Sequence, residues 1–330
     1  MCSQGGAIVS SATLVPDTRG LSGDDAWRVL RTTGEIRLLK DAFSRLRAAD
    51  GFSHARSLAF LTSLLAMQAL IGLVGLASLL HSGNFSRIVV AAIRNVVPGP
   101  AGHLLTTATA QAHRAANGHH FTALIFGLVA GIVTATTAMG QVERGLNRIY
   151  GVEQDRPTLM KYSVAFVFAI SAGTLVTVAF ACLTFGRDVL AGSSLSVVSG
   201  VWAAIRWPLG LVFIGLAVTV LFRWLPRRYQ PKISWLAFGA MVSIVIWGAV
   251  TVALGLFFQH SSGFGNTYGP LAGIVALLFW CFFSSVALFY GGAVTAQLEA
   301  IRAGAPVPKD PLKVARSDSA GDGVEDLLSP

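Results

Sequence analysis

The sequence predicts an all-α polytopic membrane protein, a bundle of six transmembrane helices accompanied by amphipathic helices. Hydrophobic residues make up 53% of the 330 residues, and the mean hydropathy is +0.63. Charged residues make up only 12% of the chain, about half of the share typical of a soluble domain. Six apolar runs approach the length of about 20 residues that crosses a bilayer. These runs are residues 58–80, 121–140, 162–185, 205–225, 235–258 and 270–292.

The segments that flank the six runs are polar. Residues 1–22 are small and polar, and their composition predicts a disordered N-terminal tail. Residues 23–57 mix apolar and charged side chains and predict a cytoplasmic segment of one or two amphipathic helices. Its apolar positions are Trp27, Leu30, Ile36, Leu39, Phe43 and Leu46. Residues 304–330 predict a disordered cytoplasmic tail, which leaves residues 58–303 as the membrane domain.

The connection between the first two runs, residues 81–120, is too long for a simple turn. Apolar residues at helical spacing predict one helix over residues 85–96 and a second over residues 104–116. Neither is long enough to span a bilayer, so we expect both to lie at the outer surface or to cap the bundle. Five histidines fall here, but the segment has no Asp, Glu or Cys to complete a metal site, so no metal or cofactor is predicted. They are His81, His103, His113, His119 and His120.

Positive charge predicts the orientation of the bundle. Twenty of the 25 Lys and Arg residues lie in the terminal segments or in the loops on the same side of the membrane. Cytoplasmic loops retain the excess of Lys and Arg, so both termini are predicted to be cytoplasmic. The net charge of +9 then reflects topology, and no nucleic-acid partner is expected.

The most polar connection between two runs is ERGLNRIYGVEQDRP, residues 143–157. Helical periodicity predicts that the second span continues into the cytoplasm, breaks near Gly151 and turns before Pro157. The polar face of this elbow is formed by Glu143, Arg144, Asn147 and Arg148. Two interpretations remain open: an elbow that fixes topology and packs its apolar face on the bundle, or an inner mouth that binds an anionic group through Arg144 and Arg148.

Glycines at four-residue spacing favour close approach of helix backbones. One set, Gly127 and Gly131, lies in the second run, and another, Gly265, Gly269 and Gly273, lies at the start of the sixth. A flexible gate at Gly269 and Pro270 is the alternative interpretation of the second set.

No enzyme signature is present, because the chain has no Walker A, GxSxG, zinc or dinucleotide-binding pattern. None of the six runs contains Asp or Glu, which counts against ion coupling through an intramembrane carboxylate. Isolated Ser and Thr residues inside the runs are typical of side chains that bond to their own helix or to a neighbour.

Four stretches resemble, in order, the BrkB/YihY family of bacterial six-span inner-membrane proteins. They are HARSLAF at 54–60, ERGLNRIYGV at 143–152, LPRRYQPKISWLAFGA at 225–240 and YGPLAGIVALLFW at 268–280. Leu61 stands where the family often has Tyr, the first span lacks the family's Pro, and Val294 stands where a Glu is common. The resemblance covers roughly residues 35–303 and implies an inner-membrane protein of unsettled activity, for which a ribonuclease label exists.

A metal-dependent nuclease needs carboxylates or histidines that converge on the metal. The acids in the middle of the chain, Glu143, Glu153 and Asp155, all lie in the elbow, so a ribonuclease is the least favoured function. The favoured hypothesis is a transporter or exporter for a lipid or an amphipathic solute, which predicts a cavity among the spans. The alternative is a non-transporting envelope scaffold, which predicts tightly packed spans. The partners expected are the lipid bilayer and, for a transporter, such a ligand.

Overall fold

The computed structural model describes residues 11–18, 20–79, 90, 93, 96–115, 120–184, 196–260 and 270–308, and these residues contain helices and no strand. Two short helices precede the first long one, and a third follows it. In chain order the helices are α1 (Gly23–Thr33), α2 (Glu35–Ala48), α3 (Gly51–Leu79), α4 (Gly99–Ala115), α5 (His120–Ile149), α6 (Thr158–Thr184), α7 (Ser196–Trp224), α8 (Ile233–His260) and α9 (Pro270–Arg302).

Six helices are long and apolar enough to cross a membrane, which confirms the predicted fold. The membrane-length segments are Gly51–Leu76, Phe121–Ile149, Thr158–Ala179, Ala204–Trp224, Ile233–His260 and Leu271–Arg302. The first segment begins before the predicted residue 58, and the second and sixth continue past residues 140 and 292. The apolar runs predicted only the part of each helix that crosses the hydrocarbon core, because the polar turns at the helix ends are not hydrophobic.

The spanning helices form a ring. In the order α3, α5, α6, α7, α8 and α9, each packs against the next, and α9 returns to pack against α3. The short helix α4 packs on α3, α8 and α9, while α1 packs on α8 and α2 packs on α9. We call the end of the ring that carries α1, α2 and the C-terminus of α9 the polar end, and the opposite end the α4 end.

The two ends of the ring have separate cores. The larger core lies at the polar end and includes Leu46, Leu146, Phe222, Trp235 and Phe289. The smaller core lies at the α4 end and joins α4 to its three partners. Its larger members are Leu70, Val97, Leu105, Phe258 and Leu277. The described parts of α5, α6 and α7 contribute nothing to the smaller core, which therefore joins only α3, α4, α8 and α9.

Residues 11–18 form an extended strap across the polar end, which differs from the disordered tail expected for residues 1–22. The Ala12 N–H donates to the carbonyl of Arg148 and the Val15 N–H to that of Tyr150, both at 3.0 Å. Both side chains are buried, and the chain passes over Gly151, where any Cβ would overlap Leu14.

Residues 304–308 of the tail expected to be disordered are also hydrogen-bonded: Gln297 Nε2 donates to the Pro306 carbonyl at 2.8 Å, and the Thr13 N–H donates to the Pro308 carbonyl at 3.0 Å. The other disorder predictions, for residues 1–10 and 309–330, lie outside the described residues.

The helices α1 and α2 are the predicted amphipathic helices, but their apolar residues divide between two faces. Leu30 and Leu46 are buried against the bundle, whereas Trp27, Ile36, Leu39 and Phe43 are exposed. The sequence pattern treated these positions as one face. In the segment 81–120, the predicted second helix corresponds to α4, which begins earlier, at Gly99. Most of the predicted first helix lies outside the described residues.

Candidate functional site

The elbow after α5 is a helix end fixed by a glycine. The helix ends at Ile149, the Gly151 N–H donates to the Arg148 carbonyl at 3.1 Å, and Gly151 has a φ of +80°. Only glycine adopts this left-handed conformation without strain. The chain then runs in irregular conformation over residues 152–157 to the start of α6.

The polar face of the elbow converges on Asp155. The Asp155 carboxylate accepts hydrogen bonds from Asn147 Nδ2 at 3.2 Å, Lys161 Nζ at 3.2 Å and Arg144 Nε at 3.3 Å. Arg148 Nη1 lies 3.7 Å away from the same carboxylate. The elbow therefore folds its cations around one internal acid, and the sequence offers no direct signal for this choice.

Asn147 and Arg148 are further held by the backbone. The Asn147 side-chain oxygen accepts from the Arg227 N–H at 2.8 Å. Arg148 Nη1 donates to the carbonyls of Val152 at 2.7 Å and Glu153 at 2.8 Å. Both side chains are buried, whereas that of Arg144 is half exposed. Of the two arginines considered for anion binding, Arg144 is the one with open access to solvent.

Glu143 is the acid that joins the elbow to α7. Its carboxylate is fully buried, and Oε1 lies 2.8 Å from Arg156 Nη1. Arg156 Nη1 also donates to the Leu225 carbonyl at 2.5 Å, at the end of α7. A buried ion pair of this kind needs good geometry to offset desolvation, and here one guanidinium connects α5, the elbow and α7.

A second buried cluster ties the loop between α7 and α8 to α9. Arg228 makes a bidentate pair with Glu299, at 2.7 and 3.1 Å, and a further contact with Asp17 of the strap at 3.0 Å. Thr18 Oγ1 donates to Glu299 at 2.5 Å. Burial acts to lower the pKa of Arg228, but the charge of Glu299, together with Tyr150 and the hydrogen bonds to Glu299 and Asp17, outweighs it and raises this pKa.

Aromatic and amide groups complete the second cluster. The Arg228 guanidinium lies 4.5 Å from the Tyr150 ring centre, and burial raises the pKa of Tyr150 to about 12. Arg45 Nε donates to Gln297 Oε1 at 2.7 Å. Burial lowers the pKa of Arg45 to about 10, so it stays charged at neutral pH. Sequence reasoning missed this cluster, although Thr295, Gln297 and Glu299 interrupt the apolar pattern at the end of α9.

Inside the ring, three spans meet at the polar end. A Cβ added to Gly292 of α9 would lie 2.7 Å from Leu146 Cδ2 of α5 and 3.7 Å from Phe222 Cε1 of α7. Leu146 and Phe222 are fully buried. These three residues therefore mark the faces of α5, α7 and α9 that point into the ring.

The same helix faces are uncovered towards the α4 end. Leu128 lies 18 residues, or about five turns, before Leu146, and Ile274 lies the same distance before Gly292. Leu128 is 55% exposed and Ile274 is 44% exposed. On the same stripes Ile132, Leu211 and Leu278 are also exposed. These faces of α5, α7 and α9 are therefore packed together at the polar end and exposed towards the α4 end, and we call the surface formed by these five exposed residues the vestibule.

A groove on α5 continues the exposed apolar surface at the α4 end. It has a volume of about 470 Å³ and is lined by Phe121, Thr122, Ile125, Phe126, Val129 and Ala130. Ligand-binding clefts in proteins fall in the range of about 300–1,000 Å³ and are mostly apolar. All six lining residues belong to α5, however, so this groove is an open apolar surface and not an enclosed cleft.

The predicted glycine sets have different surroundings. A Cβ on Gly127 would overlap Gly72 of α3, and one on Gly273 would lie 2.7 Å from Leu104 Cβ of α4, so both permit close packing. Gly131 has no atom within 4 Å of such a Cβ. Gly265 and Gly269 lie outside the described residues, and Pro270 is the first residue of α9. Within the described ranges no three His, Cys, Asp or Glu side chains are grouped closely enough to hold a metal ion.

The Asp155 cluster predicts a pH-dependent stability. Burial favours the neutral carboxyl, but hydrogen bonds from Asn147 and Lys161 and the charges of Lys161 and Arg148 outweigh it and lower the pKa of Asp155. A lowered folded-state pKa stabilises the protein above the ordinary Asp pKa, and this contribution is lost as the pH falls through the folded value. Asp155→Asn should therefore melt below wild type near about pH 6, and this difference in melting temperature should shrink as the pH falls below the ordinary Asp pKa of about 4.

Thermal unfolding of the detergent-purified protein across this pH range measures the difference. The matched control is Asp41→Asn, because Asp41 lies 3.9 Å from Arg37 on the exposed side of α2. A difference for Asp155→Asn that is the same at every pH would contradict the ionic role of this carboxylate.

The fold and the site define a multi-pass α-helical membrane protein whose spans are tied together at one end by buried ion pairs. The chain belongs to the family described as virulence factor BrkB, which matches residues 42–315. This confirms the family resemblance seen in the sequence.

Several curated proteins are similar to this chain. The ribonuclease-like protein YfkH of Bacillus subtilis strain 168 is 26% identical over 269 residues, a match that covers 80% of this chain and 95% of YfkH. The UPF0761 membrane protein azo3165 of Azoarcus sp. strain BH72 is 27% identical over 276 residues. That match covers 80% of this chain but 63% of the relative, so the chain spans less than two thirds of its length. No solved structure matches.

Proposed function

We propose that the protein is a transporter-like membrane protein that moves a lipid or an amphipathic solute through the vestibule. The observation that carries this proposal is the change in packing along one face of α5 and of α9. Leu146 and Gly292 are in contact at the polar end, and Leu128 and Ile274 are uncovered about five turns away. A carrier needs a cavity that opens to one side of the membrane at a time. In this arrangement the helices are packed together at the polar end and exposed at the α4 end.

The lining indicates the chemical class of the ligand. The five vestibule residues are aliphatic, and the adjoining groove on α5 adds aromatic and aliphatic side chains. An ion or a sugar would need convergent polar partners to replace its hydration. An acyl chain or another apolar group needs no such partners and gains about 25 cal/mol per Å² of apolar surface that it removes from water.

The proposed orientation of the bundle rests on its charges. We place the polar end in the cytoplasm of a bacterial inner membrane, because the excess of Lys and Arg is found on that side. The vestibule then opens towards the outer leaflet, and the buried clusters around Asp155 and Glu299 form the cytoplasmic closure. Export of a ligand from the cytoplasm requires these clusters to rearrange during the cycle.

The test is mass spectrometry of lipids and small molecules that co-purify with the protein in nanodiscs. Wild type should enrich at least one amphipathic species, and Leu128→Trp/Ile274→Trp, which fills the vestibule, should lose it. Val245→Trp, at an exposed position of α8 away from the vestibule, is the matched control and should retain it. Arg144→Ala/Arg148→Ala, made in parallel, tests whether the elbow contributes to binding.

The second candidate is a non-transporting envelope scaffold. The dense polar end favours it, since the strap, the elbow and the end of α9 are joined by buried hydrogen bonds. Equal recovery of all species by wild type and by the vestibule variant would support the scaffold and contradict the transporter. A ribonuclease, which the name of the Bacillus relative suggests, stays the least favoured. Glu143, Asp155 and Glu299 are held in ion pairs, and the described residues include no group of acids and histidines that could hold a metal.

A further inference from the structure

Helix α2 has a second apolar face that no other described residue of the chain covers. Leu38, Ala42 and Leu46 are buried on the face that packs on the bundle. Ile36, Leu39 and Phe43 form a separate stripe at spacings of three and four residues. All three are exposed, Ile36 to 85%. A helix with two apolar faces places one against its own protein and offers the other to a different apolar partner.

The stripe lies at the height where the first span begins. The Phe43 ring packs edge-on against Phe52, in the first turn of α3, with ring centres 5.9 Å apart. The Tyr290 hydroxyl of α9 donates to the Leu39 carbonyl at 2.8 Å. Phe52, Arg56 and Phe60 share one face of α3 at four-residue spacing, and Phe60 is exposed inside the span. The uncovered stripe thus continues into the lipid-facing surface of α3.

Cations border the stripe on one side. Around the axis of α2, Lys40 and Arg47 lie within about 60° of Phe43, whereas Asp41 lies about 160° away. Asp41 is 3.9 Å from Arg37 on that far side, and Glu35 lies in the first turn. Lys40, Arg47 and Arg56 are all exposed, and none has an acidic partner within salt-bridge distance in the described part of the chain.

We propose that the junction of α2 and α3 binds an anionic phospholipid of the leaflet at the polar end. The headgroup phosphate contacts Lys40, Arg47 and Arg56, and the acyl chains lie along Phe43 and Phe60. Basic side chains beside an apolar stripe match both parts of such a lipid, and each Lys or Arg near an anionic surface contributes about 1 kcal/mol, a factor of about five in binding. The inference does not depend on transport, because this surface lies outside the ring.

The test is native mass spectrometry of the full-length protein released from nanodiscs of phosphatidylcholine and phosphatidylglycerol in equal amounts. Wild type should carry more phosphatidylglycerol than the bulk ratio. Lys40→Gln/Arg47→Gln/Arg56→Gln should lower the bound ratio by about fivefold or more. The matched control, Arg28→Gln/Arg31→Gln/Arg37→Gln, removes three exposed cations away from the stripe and should leave the ratio near that of wild type.

Two outcomes would overturn the proposal: no enrichment in wild type, or an equal loss in both triple variants, which would indicate a diffuse charge effect. The charge-preserving variant Lys40→Arg/Arg47→Lys/Arg56→Lys keeps the proposal testable if the neutral variant fails to fold. It should retain enrichment, and its loss with an unchanged melting temperature would also contradict a site based on positive charge.

Discussion

Arg228→Ala is expected to lower the free energy of unfolding by about 3–5 kcal/mol, because it leaves the buried Glu299 carboxylate without its counter-charge. The Arg228 side chain is 3% exposed and that of Glu299 is fully buried. Arg228 also contacts Asp17 of the strap and covers the Tyr150 ring. The variant should therefore also loosen residues 11–18, which limited proteolysis would detect alongside the unfolding measurement.

Two companion variants separate the charge effect from simple loss of packing. Arg228→Leu/Glu299→Leu removes both charges and should be less destabilised than Arg228→Ala, since no unpaired carboxylate remains buried. Arg37→Ala removes an exposed arginine near Asp41 and should change stability by about 0.5 kcal/mol or less. If the double variant were the least stable of the three, the unpaired charge would not be the cause.

Gly239→Ala is expected to destabilise the protein by about 1–3 kcal/mol, because the added methyl group has no room between α8 and α9. Its Cβ would lie 2.5 Å from the Gly291 carbonyl oxygen and would overlap Thr295 Cγ2. A backbone oxygen inside a helix cannot move aside without separating the two helices. Thermal unfolding in nanodiscs measures the effect.

Gly248→Ala is the matched control in the same helix. A Cβ at Gly248 meets no atom within 4 Å, and Ala is favoured over Gly inside a helix by up to about 1 kcal/mol. This variant should be as stable as wild type or slightly more stable. Equal destabilisation by both substitutions would show that close contact between α8 and α9 is not what Gly239 provides.

The sequence predicted the spans and the elbow because both depend on local patterns. Apolar runs located all six spanning helices, and the break at Gly151 follows from the residue's own conformational freedom. Glycine spacing identified Gly127 and Gly273 as positions of close packing. It missed the contact between Gly239 and Gly291, because neither residue has a glycine four positions away.

The contacts at the polar end could not be derived from local patterns. Glu299 meets Arg228 and Thr18 across 71 and 281 residues of chain, and no periodicity connects positions so far apart. The strap was predicted to be disordered because small polar residues rarely bury enough apolar surface to order a chain. It is ordered here by backbone hydrogen bonds to the end of α5 and to Tyr150. The chain also packs directly on Gly151, which has no side chain to keep it away.

Cysteine cross-linking tests most directly whether the ring is closed at one end and open at the other. With Cys2, Cys182 and Cys281 replaced by alanine, Leu146→Cys/Gly292→Cys and Leu128→Cys/Ile274→Cys probe the same two helix faces about five turns apart. A disulfide forms only when the Cα atoms lie within about 7 Å. In membranes without added ligand, the first pair should cross-link readily and the second should not. Efficient cross-linking of the second pair would contradict the vestibule and the proposed function that depends on it.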